Sequence, residues 1–295
     1  MKKKLGLSLI VPIYNEINGI SSSIKSLKTI KTKINFPFEI ILVNDGSNDG
    51  TESILKKNIK KDIKFKLVNN VLNLGYGASL KRGIKLAKYD YIAITDADET
   101  YPNHLIPIFF EKLIDLNIEM IVGARIGKNV KIPLIRRPAK FCINLLANYL
   151  SGTKIPDLNS GLRIMQKEIV LKYFNILPNG FSFTTTITLA MLTNGYNVFY
   201  EKIDYFHRAG KSKIRPIHDT LNFILLILRT ILLFNPLKIF IPLSFSLFFI
   251  GLSLIIYRYY IGSEYGVTAT VLLVGSLQIL AIGLLADLID RRIEK

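Results

Sequence analysis

The sequence predicts an α/β domain built on a mostly parallel sheet, followed by an interfacial helix and a C-terminal two-helix membrane hairpin. Three observations carry this expectation. Short apolar runs alternate with helical periodicity along the N-terminal part of the chain, a pattern that puts helices on both faces of a parallel sheet. Segments rich in Asp, Asn and Gly follow those runs, where open sheets of this kind bind ligands beyond the strand ends. Two long uncharged stretches lie near the C-terminus.

The first strand is Leu7 to Ile13. Lys2 to Lys4 ahead of it imitate a signal peptide, but the apolar run is short, contains Pro12, ends in Tyr-Asn-Glu and lacks a small-residue cleavage site. Further strands are expected at Glu39 to Val43, Phe65 to Val68, Tyr89 to Thr95 and Met120 to Gly123. Helical patterns separate them at Gly19 to Thr29, Thr51 to Lys57, Ala78 to Ala87 and Pro102 to Leu116.

Ile239 to Tyr257 carries no charge and is long enough, at ~1.5 Å per residue, to cross a hydrocarbon core of ~30 Å. Gly266 to Ala286 is a second such stretch, and the short link Arg258 to Tyr265 makes the two a hairpin with both chain ends on one side. Pro242 and Gln278 are tolerated in such spans. The link holds one basic residue, Arg258. The tail has Arg291, Arg292 and Lys295 and the N-terminal domain is Lys-rich, so the positive-inside bias puts both ends in the cytoplasm. Ile217 to Phe234 is strongly apolar with few charges and reads as an interfacial helix docking the domain on the bilayer, with a domain-packing helix as the alternative. The expected boundaries are 1–216 for the α/β domain, 217–236 for the juxtamembrane segment and 237–295 for the hairpin and its tail.

Composition narrows the partners. The 295 residues carry 39 Lys+Arg against 22 Asp+Glu, a formal net charge of +17, which calls for an anionic partner. Nucleic acid accounts for the charge but not for 49% apolar residues and two spans, and no recognition motif supports it, so no nucleic-acid partner is expected. Cys142 is the only cysteine, which rules out an internal disulfide and fits a reducing compartment.

Asp96, Ala97 and Asp98 follow the apolar run YIAIT, and extended geometry there aims positions i and i+2 at the same side. Two carboxylates in one crevice suit a hard divalent cation, Mg2+ or Mn2+, that shares its other positions with substrate phosphates. Asp-X-Asp triplets are common, and a solvated turn explains one equally well, so the surrounding motifs must decide. Pro12, Tyr14, Asn15 and Glu16 follow the first strand; Asn44 to Thr51 (NDGSNDGT) follow the second, with Asp49 or Thr51 as the helix cap. Turn chemistry explains those glycines but not Asp45. Asn73 to Ala78 (NLGYGA) lacks the G-x-G-x-x-G spacing of a dinucleotide fold, which disfavours a dehydrogenase.

Taken together, VPIYNE (Val11 to Glu16), VNDGSNDGT (Val43 to Thr51), NLGYGASLKRGI (Asn73 to Ile84), TDADETYP (Thr95 to Pro102), GAR (Gly123 to Arg125) and DLNSGLR (Asp157 to Arg163) resemble the family 2 glycosyltransferases. The resemblance is ordered, covers roughly residues 5 to 215, and is specific in combination. With the two C-terminal spans it is similar to the polyprenyl-phosphate glycosyltransferases, the group that includes dolichyl-phosphate mannose synthase. That resemblance implies a GT-A domain in which Pro12, Tyr14, Glu16 and Asp45 hold the base and ribose of a nucleotide sugar, and Asp96 and Asp98 hold ribose and metal. It further implies that Arg125 meets the diphosphate through its planar fork. The mannose synthases carry a Gln ligand two residues past the second Asp, where this chain has Thr100; Glu99 or water then stands as the substitute.

The implied reaction is inverting transfer of one sugar from a nucleotide sugar, of GDP-mannose or UDP-glucose type, to a polyprenyl or dolichyl phosphate at the cytoplasmic membrane face. A lipid phosphate has a second pKa near ~6 and is already an anionic nucleophile at neutral pH, so the chain must orient two anions rather than deprotonate one. Arg208, Lys211, Lys213 and Arg215, with Ser160, are the candidates for holding that phosphate; a cluster attracted to anionic lipid accounts equally well for the four basic residues, and the two readings are compatible. Asp157 is the candidate catalytic or acceptor-orienting carboxylate beside Asp98 and Arg125, with Ser160 and Gly161 shaping the acceptor pocket; a turn cap is the alternative for Asp157. Phe181, Phe183 and Thr184 to Thr186 suit an acceptor groove or ordinary core, and His104, His207 and His218 lack a metal-ligand partner at useful spacing. Two other functions compete: a transferase acting on another membrane acceptor in polysaccharide synthesis, and a non-catalytic nucleotide-sugar-binding protein. The chain has no Trp, hence no Q-x-x-R-W motif of the processive synthases. The partners are the donor, the polyprenyl phosphate and the bilayer, and a homo-oligomer is allowed.

Overall fold

The structure, a computed structural model, describes residues 5–31, 34–59, 62–126, 144–149, 151–180, 182–206, 235–262 and 266–293, with single positions at 225, 228, 229 and 232. The chain forms two compact units, Met1–Ile224 and Leu225–Lys295.

In the first unit seven strands make one sheet in the order β3-β2-β1-β4-β6-β5-β7. These are β1 (Leu7–Ile13), β2 (Phe38–Asp45), β3 (Phe65–Asn70), β4 (Tyr91–Ile94), β5 (Met120–Ala124), β6 (Arg163–Gln166) and β7 (Val198–Lys202). The helices are α1 (Ile20–Lys31), α2 (Thr51–Ile59), α3 (Tyr76–Leu86), α4 (Ile106–Asp115), α5 (Lys167–Lys172) and α6 (Phe183–Thr193). β1 pairs in parallel with β2 and β4, β2 with β3, and β5 with β7, whereas β6 runs antiparallel between β4 and β5.

The central strands read as continuous apolar runs because both of their faces are covered. Leu7, Leu9, Val11 and Ile13 of β1 share one core with Ile24 and Leu27 of α1 and with Phe109 and Leu113 of α4. On the opposite face Gly83 of α3 lies against Ile10, where a Cβ would stand 2.5 Å from Ile10 Cγ2. A methyl there would lift α3 off the sheet.

All five expected strands are present, and β6 and β7 are additional. β6 is four residues long and opens on an arginine, while β7 lies at the sheet edge with its side chains only partly covered, so neither gives an apolar run in sequence. One expectation is corrected. β4 ends at Ile94, so Asp96, Ala97 and Asp98 lie beyond the strand, with Ala97 and Asp98 in a turn that continues to a left-handed Glu99 at φ 57°.

The second unit is a helical hairpin, α7 (Leu237–Ile261) and α8 (Gly266–Ile293). Both helices are long and apolar enough to cross a membrane, and only 11% and 17% of their most apolar windows are buried within the protein. That low burial argues against two core helices. The helices meet through small residues. Ser244 Oγ donates to the Ser276 carbonyl at 2.8 Å, and a Cβ on Gly283 would stand 2.4 Å from Phe240 Cβ. Close backbone approach of this kind is how helices associate where the surroundings are themselves apolar. Tyr257, Tyr259 and Tyr260 are exposed at the end of α7, the placement favoured at a membrane–water boundary.

Candidate active site

Because β6 is antiparallel, its first residue reaches the same sheet edge as the last residues of the other strands. Arg163 of β6 pairs there with Ile94 of β4 and Val122 of β5. The motifs after β1, β2, β3, β4 and β5 and the DLNSGLR segment before β6 therefore gather at one edge. Connections reverse direction between β1 and β4, the point at which open sheets form a crevice.

On the β1–β2–β3 side an open cleft of ≈ 560 Å³ is lined by Tyr14, Ser47, Asn48, Glu52, Asn69 and Asn73, among others. Pro12 is half-buried in β1 beside Val43. Glu16 lies in the turn that leads into α1: its carbonyl accepts from the Gly19 and Ile20 amides, while its own amide donates to Thr51 Oγ1 at 3.1 Å. Asp49 rather than Thr51 caps α2, since its Oδ1 accepts from the Thr51 amide at 3.0 Å and hydroxyl at 2.6 Å; its Oδ2 also binds the Ile17 amide. Asp45 is buried and accepts from Asn70 Nδ2 at 2.6 Å and from the Leu74 and Gly75 amides at 3.0 and 2.9 Å. In the structure the residue expected at the base or ribose holds the β3–α3 loop, and Arg82 in turn donates to Asn70 Oδ1. The glycines of NLGYGA let the start of α3 approach another segment closely: a Cβ on Gly75 would fall 2.6 Å from the Asn179 carbonyl oxygen and one on Gly77 2.2 Å from that of Pro178.

Asp96 and Asp98 are half-buried on either side of buried Ala97. The Tyr76 phenol, at the start of α3, donates to Asp96 Oδ1 at 3.1 Å. Burial and then the Asp96 charge push the Tyr76 pKa well above the ordinary tyrosine value, so the phenol keeps its proton and remains the donor. Asp98 Oδ1 accepts from the Thr100 hydroxyl at 2.6 Å and from the Thr100 amide at 3.3 Å. Among the described residues no three His, Cys, Asp or Glu side chains form a metal cage. Two partly exposed carboxylates with only oxygen donors fit Mg2+ or Mn2+, which bind through one or two carboxylates and complete their shells with phosphates and water.

Arg125 and Asp157 are brought together. Arg125 donates through Nε to Asp157 Oδ2 at 2.7 Å, through Nη2 to Oδ1 at 2.9 Å and through its amide to Oδ2 at 3.0 Å. The fork expected to face a diphosphate is thus engaged by the carboxylate expected to act in catalysis, and the Asn159 amide adds the anticipated turn contact to Asp157 at 3.3 Å. The Tyr205 ring lies 5.2 Å from the guanidinium carbon. Burial opposes the Arg125 charge, yet neighbouring Tyr101 and the Asp157 bonds outweigh it and raise its pKa.

Ser160, expected beside an acceptor phosphate, is fully buried and turns its hydroxyl inward to the Gly123 carbonyl at 2.5 Å, a brace where a phosphate contact was expected. Arg163 is fully buried: Nε donates to the Ser160 carbonyl at 3.1 Å, and Nη1 donates to the Thr184 carbonyl at 3.0 Å and Thr188 Oγ1 at 2.8 Å. Phe183 and Thr184 to Thr186 are core rather than groove. His104 is exposed. Arg208, Lys211, Lys213, Arg215, Phe181, Cys142, His207 and His218, with most of 217–236, lie outside the described residues.

The description Glycosyl transferase family 2 matches residues 8–174, more than half of the 295-residue chain. The chain belongs to glycosyl transferase family 2. Residues 235–291 of this transferase match a second description, GtrB C-terminal hairpin. Its curated relatives include the dolichyl-phosphate hexose transferase of Haloferax volcanii, 28% identical over 71% of this chain and 87% of that one. They also include the dodecaprenyl-phosphate galacturonate synthase of Rhizobium johnstonii, 25% identical over 98% of this chain and 89% of that one. Among solved structures, glucosyl-3-phosphoglycerate synthase from Mycobacterium tuberculosis bound to UDP superposes with a TM-score of 0.59 at 18% identity, over 76% of this chain and 79% of that one, which supports the GT-A fold. TarS of S. aureus superposes at 0.56 and 18% identity over 78% of this chain and 66% of that one.

Several residues bonded at this edge have no individual role in the sequence motifs: Tyr76, Arg82, Tyr101 and Arg163, which lie within them, and Asn70, which lies outside. Of these only Arg163 carries a local signal, a charge inside the apolar run LRIM, which demands a partner once buried. Gly161 has a clear reason. Its amide donates to the Tyr101 hydroxyl at 2.7 Å, and a Cβ on it would stand 2.8 Å from Asp96 Oδ2. Gly161→Ala is expected to push the Asp96 carboxylate aside and lower transfer by roughly 10-fold or more, since ~1 Å of misplacement is costly at a reacting centre. The thermal midpoint should change little, because the atom that yields is the end of a side chain; parallel activity and melting measurements check both.

Proposed function

We propose that the chain transfers one sugar, with inversion, from a nucleotide sugar to a polyprenyl phosphate at the cytoplasmic face of a membrane. The observation that carries this reading is the match along 98% of the chain, hairpin included, to a relative named dodecaprenyl-phosphate galacturonate synthase. A membrane-bound acceptor also accounts for two helices whose apolar surfaces are largely unburied. The charges at Arg291, Arg292 and Lys295, against Arg258 alone in the link, support a cytoplasmic domain.

In this reading Tyr14 and the cleft beside it receive the base, with Pro12 and Glu16 flanking Tyr14 in sequence and Asp45 acting through the loop it holds. Asp96 and Asp98 hold the cation, in line with the Mn2+ and UDP bound together by the mycobacterial synthase. A bound Mg2+ or Mn2+ supplies Lewis-acid chemistry, neutralising charge on the departing nucleoside diphosphate. An acceptor phosphate oxygen forms a bond to the anomeric carbon as the bond from that carbon to the diphosphate breaks, its electron pair leaving with the nucleotide. No general base is required, because the acceptor is already an anion. The protein's task is to orient both anions and screen their repulsion. Arg125 brings guanidinium N–H donors to this edge, and we assign Asp157 to orienting it, since the carboxylate is committed to its guanidinium and amide. Arg208, Lys211, Lys213 and Arg215 remain the proposed contacts for the lipid phosphate.

The test is to incubate the purified full-length chain in lipid nanodiscs with polyprenyl phosphate, Mn2+ and labelled GDP-mannose, UDP-glucose or UDP-galacturonate. Labelled glycolipid from one of these donors supports the reading. Label appearing only in polymer or only as free sugar refutes it.

A further inference from the structure

We propose that Tyr76 and Thr100 are positioning residues that set the affinity of the acid pair for its divalent cation. The inference rests on the reading above, in which Asp96 and Asp98 hold the metal. Each acid receives a hydroxyl from a different element: Tyr76 Oη at the start of α3 donates to Asp96 Oδ1 at 3.1 Å, and Thr100 Oγ1 donates to Asp98 Oδ1 at 2.6 Å. Both donors are neutral. A hydroxyl fixes the plane of a carboxylate without cancelling its charge, unlike the guanidinium that engages Asp157. Both acids sit past the end of β4, Asp98 in a turn, so the strand does not hold their side chains and these donors supply the orientation. Gly161 completes the arrangement for Asp96 by bringing backbone against its carboxylate.

Thr100 carries the chain-specific consequence. It is fully buried, and both its hydroxyl and its amide are turned onto Asp98, so it stands behind that acid as a brace rather than beside it as a third protein ligand. With two protein ligands, the cation's other positions fall to phosphate oxygens and water, which makes metal binding depend on bound nucleotide. Outer partners that orient ligating carboxylates are worth ~10–100-fold in metal affinity.

The experiment titrates Mn2+ into the full-length protein, with and without UDP or GDP, and reads free Mn2+ by its electron paramagnetic resonance signal. Wild type should bind much more tightly with nucleotide than without, and Asp98→Ala should not bind detectably. Tyr76→Phe and Thr100→Val, which remove only the hydroxyls, should each weaken nucleotide-supported Mn2+ binding by ~10–100-fold. Thr100→Ser, which restores a hydroxyl, should return to within a few-fold of wild type; thermal midpoints establish that each variant is folded. Wild-type affinity in both Tyr76→Phe and Thr100→Val, alongside loss in Asp98→Ala, overturns this inference and leaves the metal assignment standing. Unchanged binding in Asp98→Ala overturns the metal assignment itself.

Discussion

Asp98→Ala is expected to lower sugar transfer by roughly 10³-fold while leaving the fold intact. The magnitude follows from the several kcal/mol that a correctly held cation contributes to stabilising a departing diphosphate, at ~1.4 kcal/mol for each factor of ten in rate. Asp98 is half-buried in a turn, and its visible structural duty is to accept from Thr100. Losing that acceptor costs ~1 kcal/mol of stability, small beside the catalytic effect. Initial rates at saturating donor and Mn2+, measured with a melting curve for the same sample, separate the two. Turnover within a few-fold of wild type would remove Asp98 from the metal site.

Arg163→Met is expected to act the other way, on stability first. Arg163 is fully buried and its fork ties the Ser160 carbonyl to the start of α6 through the Thr184 carbonyl and Thr188 hydroxyl. Methionine fills much of the space but donates nothing. The Thr184 carbonyl keeps a donor in the Thr188 hydroxyl at 2.8 Å, so the Ser160 carbonyl bears most of the loss. An unsatisfied buried acceptor costs ~1–3 kcal/mol, and relief from burying a charge offsets part of it, leaving about 1–2 kcal/mol net. For a domain of this size that lowers the thermal midpoint by roughly 2–8 °C. Arg163→Lys should not restore it, because one ammonium cannot span acceptors that a planar fork reaches together. An unchanged midpoint in Arg163→Met would show that the arginine is not the strut between these segments.

The parts of this molecule that were legible in sequence are those where local pattern and tertiary role coincide. β1 and β2 are buried on both faces and read as uninterrupted apolar runs, and the hairpin helices are uncharged for the length of a bilayer. β6 and β7 were illegible because their pairing is decided across the sheet: β6 enters antiparallel, with Arg163 where an apolar residue is the usual choice. In the candidate site, residue types mark the motifs that gather at one sheet edge but not what each side chain touches. Asp45 and Ser160 turn toward the protein's own backbone, and Arg125 and Asp157, thirty-two positions apart, neutralise each other. Thr100 stands where the resemblance offered a ligand, and only its hydrogen bonds to Asp98 identify it as a support.

A single transfer assay bears most directly on the central claim, comparing polyprenyl phosphate with the corresponding polyprenol under Mn2+, then chelator, then restored Mn2+. The account predicts labelled glycolipid from the phosphate alone, lost on chelation and recovered on adding the ion back. Equal product from the alcohol, or product that survives chelation, would contradict it.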